Sequence, residues 1–292
     1  MAAIQLWIML LFSGLSTGGL YAIVALGLNL VYGVTGVLNL AHGEFVMLAG
    51  LATFLLAPIL NISVLLLIPL LLIIFFLFGI LIERSLIRPI IRRPSGKILS
   101  ISILVTLGLS FVLRDVTFSY IYSGNFGVPI NLPSLKISGA SISSIDIIIL
   151  VLAVSFSLTF FLFLRKTLMG KAIRALLQNK EGAKYVGINP EKISQITFGL
   201  GGSLAALGGW SLVAITQLNP FVGMAYTIKA TAIIILGGLG SFGGALLGGF
   251  ILGVAESFTG YYIGPGWMPS IAYILLLIIL IIRPQGLFGY ER

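Results

Sequence analysis

Hydrophobic residues in this chain arrive in blocks rather than in alternation with polar ones. Apolar runs fall near positions 5–33, 37–60, 62–82, 98–118, 145–164, 193–218, 227–239, 242–262 and 269–282, separated by polar connections. Most blocks approach the roughly 20 residues that a helix needs to cross about 30 Å of hydrocarbon. In hydrocarbon every backbone N–H and C=O must be paired within the protein, which leaves a helix bundle or a closed barrel. Blocks such as Val64–Leu81 and Ser270–Ile282 lack the alternation, in pieces of about ten residues, that barrel strands show. The pattern predicts an all-α, polytopic transmembrane helix bundle of about eight to ten spans, with positions 1–292 forming one membrane domain. The spread in that number has identifiable sources. Gly14, Gly18 and Gly19 interrupt the first run, Gly33-Val34-Thr35-Gly36 reads as a turn or as a break within one helix, and the run at 227–239 is short.

Composition sharpens this picture. Hydrophobic residues make up 59% of the chain and charged residues 9%, against about 25% charged in a typical soluble domain. The N-terminal residues Met1 to Leu11 lack the basic flank and small-residue cleavage site of a secretory signal, so the first run is expected to be retained. There is no cysteine, hence no disulfide, thiolate metal site or cysteine nucleophile.

The net charge of +9 matters through its placement, and no nucleic-acid partner is expected from it. Connection 83–97 carries Arg84, Arg88, Arg92, Arg93 and Lys97, and connection 165–192 carries Arg165, Lys166, Lys171, Arg174, Lys180, Lys184 and Lys192. Both are expected on the cytoplasmic side. Connection 119–144 has only Lys136, and 219–226 and 261–268 have no lysine or arginine, so these belong outside. The external loop 119–144, rich in Ser, Gly, Pro and Asn, reads as a cap with short irregular or β structure.

Three segments are candidates for chemistry. Gly237 to Gly244 contains a G-x-G-x-x-G at Gly238, Gly240 and Gly243, with Glu256 near the distance of a ribose-binding acid. The dinucleotide reading fails because apolar runs flank the motif on both sides, where a βαβ unit is required. Close packing fits better: Gly240, Gly244 and Gly248 recur every four residues, as do Ser241, Ala245, Gly249 and Gly253. Such small-residue stripes let two helix backbones approach. A contact within the chain is favoured, with one between subunits left open.

The stretch Gly27 to Gly50 places Asn29, Asn39, His42 and Glu44 in an apolar setting, where a charged group costs about 3 kcal/mol on insertion scales. These residues, with Glu256, are either polar contacts that fix helix packing or groups lining a translocation path. Lys229 and the Arg114-Asp115 pair are expected near outer ends of spans. One histidine and no His-Glu-x-x-His leave no zinc set. In the basic connection, Gly170 to Asn179 has helical composition and Asn189-Pro190 separates two elements. No G-x-x-x-x-G-K-[ST] occurs, so ATP phosphates have no P-loop here.

Two of these segments carry a resemblance. Glu181-Gly182-Ala183-Lys184-Tyr185-Val186-Gly187 resembles the E-A-A-x-x-x-G coupling loop of ABC import permeases, with Gly182 in place of the second motif residue and the closing Leu-Pro missing. GLNLVYGVTGVLNLAHGEF followed by MLAG is similar to the N-terminal signature of the high-affinity branched-chain amino acid ABC transporter permease, LivH type. ATAIIILGGLGSFGGALLGGFILGVAES and MGKAIRALLQNKEGAKYVGI look like the same family. The wider superfamily includes sugar and urea permeases. The resemblance implies an importer with a second permease subunit, homologous or identical, two cytoplasmic ATPases and an extracytoplasmic substrate-binding protein. Glu181, Gly182, Ala183, Lys184 and Gly187 would be the coupling residues, and ATP would be used by the partner subunits, with no cofactor on this chain. An ion-coupled secondary transporter is the rival class: the Gly-rich 237–244 region would serve it as a broken helix, but few intramembrane carboxylates and the large basic connection argue against it.

Overall fold

The computed structural model describes residues 2–92, 98–128, 130, 132–137, 139–283 and 285–288. Arg93 and Lys97, two of the basic residues used above to orient the chain, lie outside the described residues. Helices dominate in chain order: α1 (Ala2–Thr35), α2 (His42–Leu60), α3 (Val64–Ile91), α4 (Ile98–Ile121), α5 (Ser144–Lys166), α6 (Leu168–Gln178), α7 (Lys180–Tyr185), α8 (Pro190–Ile215), α9 (Gly223–Gly237), α10 (Phe242–Tyr262) and α11 (Pro265–Ile282). Among the described residues, eight helices are long and apolar enough to cross a membrane, and α9 is a shorter apolar helix. The expected β structure in the loop before α5 is a two-stranded antiparallel hairpin, β1 (Leu135–Ile137) with β2 (Ala140–Ile142).

The centre of the bundle is α1, α8 and α10. α1 runs unbroken through Gly14, Gly18 and Gly19, because these glycines are contact points rather than interruptions. A side-chain carbon at Gly14 would lie 2.8 Å from the Val254 Cα, and one at Gly18 would lie 2.8 Å from the Phe250 Cα. Gly249 and Gly253 return the contact from α10 against Ala22, Gly18 and Gly14. With lipid outside, there is little hydrophobic drive between helices, so this backbone contact is a main source of cohesion. α8 packs in the same way on α3, through Gly199 and Gly202 against Phe76 and Phe75. Trp210 is fully buried, and its indole N–H donates to the Val64 carbonyl at 2.9 Å.

Two boundaries differ from the apolar pattern. The third helix continues to Ile91, where a loop from residue 83 was expected. Glu83–Ile87 forms a π-helical turn, and Glu83 is 1% exposed. Its carboxylate accepts from Arg88 at 3.0 Å and from Ser194 at 2.9 Å, which lets the chain stay helical past a buried charge. The second helix starts at His42 and not at 37. Gly36, at φ +73°, ends α1, so Gly33–Gly36 is a helix terminus, and 36–41 crosses to α2 in irregular form.

Arg84, Arg88, Arg92, α6, α7 and the start of α8 gather at one end of the bundle, the basic face. There Arg92 forms a double hydrogen bond to Glu191 at 2.9 and 2.8 Å. The hairpin and the segment 216–222 lie at the other end, where Phe126 of the loop before the hairpin pairs with Leu218.

Candidate coupling surface and intramembrane polar junction

α2 begins inside the bundle. The His42 Nε2 is 3.1 Å from the carbonyl of Val24, which lies about 16 Å of helix rise before the end of α1. The first turn of α2 abuts the first turn of α9. A side chain at Gly43 would collide with the Gly223 carbonyl, and one at Gly223 would collide with the Glu44 carboxylate. Both helices therefore start at membrane depth, where no water can satisfy their free backbone groups. Side chains do so instead. Asn39 Oδ1 accepts from the Ala41 N–H at 3.1 Å, and Thr106 Oγ1 accepts from the Leu40 N–H at 3.0 Å. Thr227 Oγ1 accepts from the Gly43 N–H at 2.8 Å and donates to the Leu40 carbonyl at 3.0 Å.

Glu44 sits at this junction, 1% exposed, facing the positive end of α9. Ser110 of α4, one turn beyond Thr106, donates to Oε1 at 2.9 Å, and Oε2 has no hydrogen-bond partner among the described residues. Ser102, Thr106, Ser110 and Thr117 are the buried residues of α4, while Leu104, Phe111 and Val112 point away from the bundle. α4 is thus seated by a stripe of hydroxyls. Farther along it, Arg114 pairs with Asp115 at 3.0 Å, the local pairing expected for an outer end, and stacks on Phe221 at 5.5 Å.

Lys229 is elsewhere than expected. It is not at an outer end: α9 starts within the bundle, so its seventh residue faces the interior. The Lys229 Nζ lies 2.9 Å from both carboxylate oxygens of Glu256, which is completely buried. The Tyr21 hydroxyl donates to Glu256 at 2.7 Å and accepts from Lys229 at 2.6 Å, closing a triangle across α1, α9 and α10. The charges cancel where a lone carboxylate would be costly.

The glycine-rich region divides into two roles. Gly244 and Gly248 pack α10 on α9, against the Gly237 backbone and the Ile233 carbonyl respectively, so this contact is within the chain. Gly240 does not belong to that stripe. It lies in the turn between α9 and α10 at φ +83°, with nothing within 4 Å of where a side chain would start. Its role is conformational, since a left-handed backbone suits glycine. Asn29 holds this turn to α1 by accepting from the Gly240 N–H at 2.8 Å and donating to the Ser241 carbonyl at 2.9 Å.

On the basic face, Asn179 caps α7 by accepting from the Gly182 N–H at 2.8 Å, and Gly187 ends it at φ +83°. Lys184 pairs with Glu181 at 2.8 Å, and Ala183 is the buried contact that seats the helix. Tyr185 and Val186, 88% and 75% exposed, form an exposed tip. Between α7 and the ends of α3 and α8 lies a cavity of about 360 Å³ lined by Glu83, Arg88, Arg92, Lys180, Lys184 and Glu191, among others. Burial and the neighbouring Lys184 lower the pKa of the Lys180 ammonium, with Glu181 opposing. Sequence reasoning missed the Glu83–Arg88–Glu191 network and the Lys229–Glu256 pair, because Lys229 and Glu256 stand 27 positions apart and Arg88 and Glu191 stand 103 apart, which leaves no local pattern.

Long helices with apolar outer faces around an interior polar junction define a multi-pass membrane protein. The chain belongs to the family of branched-chain amino acid transport system permease components, which it matches over residues 10–283. It is 33% identical to the high-affinity branched-chain amino acid transport system permease protein BraD of Pseudomonas aeruginosa, over 96% of this chain and 94% of that one. It is 30% identical to the LivH permease proteins of Salmonella typhimurium and of Escherichia coli, again over 96% of this chain and 94% of theirs. A permease component works with partner proteins, and the expectation of a membrane transport subunit holds.

Proposed function

We propose that this chain is the membrane-embedded permease of an ABC importer for leucine, isoleucine and valine. The observation that carries the reading is the near full-length relationship to permeases of that substrate class, joined to a short exposed helix in the position of the coupling motif. The basic face, with connections 83–97 and 165–192, is cytoplasmic, and loop 119–144 faces outward. Of the two ATPase subunits in the importer, one docks on α7 through Glu181, Gly182, Ala183, Lys184 and Gly187, with the Tyr185–Val186 tip entering the ATPase cleft. An extracytoplasmic binding protein delivers substrate to the opposite end, and a second permease, homologous or identical, completes the pore. ATP is used by the partners.

Translocation then follows the junction of α2, α4 and α9. α4 is held mainly by hydroxyls, so it moves at the cost of a few weak hydrogen bonds, and Glu44 and Asn39 meet the passing solute. His42, Asn29 and Glu256 support this path as packing contacts, because each is already bonded to the chain. Nucleotide-driven changes at α7 bias inward- and outward-facing states through their different ATPase contacts.

The test is uptake of labelled leucine by the reconstituted full complex, with isoleucine, valine, urea and a pentose as competitors. Competition by isoleucine and valine alone supports the reading. Competition by urea or the pentose refutes the substrate class, and concentrative uptake by this chain alone under an ion gradient refutes the ABC mechanism.

A further inference from the structure

α5 and α10 both seat on α1 and meet at the ring pair Phe160–Phe242, 5.9 Å between centroids. Beyond that pair they diverge and leave an apolar groove of about 360 Å³. Leu26 of α1 forms its floor, Leu158 and Phe161 of α5 one wall, and Phe242, Leu246 and Phe250 of α10 the other. A second hollow continues along α10 past Phe250 to Val254 and Phe258. From Phe242 to Phe250 the helix rises about 12 Å. The groove therefore runs along about two turns of α10.

The groove lies in the half of the bundle nearer the basic face, and its end there carries uncompensated positive charge. Arg165, exposed on the last turn of α5, stacks its guanidinium 4.5 Å above the Phe161 ring that walls the groove. Neither Arg165 nor its exposed neighbour Lys166 forms an ion pair among the described residues. A narrow hydrocarbon-depth slot ending at an unpaired cation matches one kind of molecule. We propose that it binds an anionic phospholipid of the leaflet on the basic face, with one acyl chain in the slot and the phosphate at Arg165.

The phosphate finds a partner that zwitterionic headgroups satisfy internally, and the acyl chain fills space that neither helix reaches. The lipid then wedges α5 against α10 and fixes the basic end of α5, from which α6 and α7 continue. This site concerns the bundle's solvent and does not depend on the transported substrate.

The purified full chain in mild detergent, given equal phosphatidylglycerol and phosphatidylcholine, is read for retained lipid by native mass spectrometry. Phosphatidylglycerol is expected to be retained in preference. Arg165→Ala should lower its retention about fivefold, the effect of one basic residue at a membrane surface, without changing phosphatidylcholine. Gly243→Trp fills the mouth of the groove, where a side-chain carbon meets nothing within 4 Å, and should remove both lipids. Arg84→Ala, at an exposed basic position on α3, should change nothing. Equal retention of the two lipids overturns the proposal, as does an unaltered preference in Arg165→Ala, which tests it even if Gly243→Trp fails to fold. Loss of a dimer in Gly243→Trp with lipid retention intact also overturns it, and assigns the groove to a second copy. The measurement needs neither ATPase nor substrate, so its failure leaves the transport reading untouched.

Discussion

Replacing Lys229 with methionine isolates the energetics of the interior. The substitution keeps the apolar stem but removes the cation 2.9 Å from a carboxylate that has no exposure at all. Breaking a buried pair by removing one partner costs about 3–5 kcal/mol, because the remaining charge has lost its neutralising neighbour. Lys229 is 15% exposed, so water reaches one side of the pair and the lower end, about 3 kcal/mol, is the expected loss. The Tyr21 hydrogen bond to Glu256 survives and keeps the penalty from rising further. Glu256→Gln alone leaves an unpaired ammonium and should cost a similar amount. The double variant Lys229→Met with Glu256→Gln removes both charges, and should recover most of the loss, since uncharged replacements of buried pairs are commonly neutral or better. Denaturant unfolding of the purified chain in micelles, across the four members of the cycle, gives the coupling directly. Additive single losses, or a Lys229→Met cost below about 1 kcal/mol, would show that the triangle is not a coupled buried pair and refute the reasoning.

Other expectations follow from single contacts. Gly244→Leu forces a side chain into the Gly237 backbone and should abolish accumulation of folded chain, whereas Gly240→Ala meets open space and should cost only about 1 kcal/mol of left-handed strain; expression with fluorescence-detected size exclusion separates them. Asn29→Leu removes two buried hydrogen bonds to the turn before α10 and should lower stability by about 2–4 kcal/mol in the same unfolding assay. Replacing Tyr185 and Val186 together by serine leaves the bundle untouched, so melting should hold while co-purification of the ATPase falls at least tenfold. Retained ATPase would move the docking surface away from α7.

Much of the architecture was open to reading because hydrocarbon makes simple demands. The charge-free blocks marked the spans, Asn189-Pro190 marked the start of α8, and the small-residue period along α10 marked a packing face. Errors arose where polar groups compensate one another at a distance. Glu83 looked like the end of a span because its partners Arg88 and Ser194 belong to a later turn and to another helix. Lys229 looked peripheral because its partner lies on α10 and because the depth at which α9 starts depends on Gly43 and Gly223 touching. Gly240 shared a four-residue period with Gly244 and Gly248 but stands before the helix begins, and only its backbone angle reveals that difference. Glu181 to Gly187 were singled out by motif, and the short helix that presents Glu181, Lys184 and Tyr185 is capped by Asn179, which the motif does not contain.

The meeting of α2 and α9 has a mechanical consequence. Helical ladders resist shear because each rung is backed by the next, but at this seam adjoining segments are fastened by three alcohol and amide side chains, Asn39, Thr106 and Thr227, at single points. Parting those segments breaks single hydrogen bonds and leaves the helical ladders on either side intact. The bundle has, at its mid-depth, a seam of point fastenings between stiff rods, a place where it can open without melting.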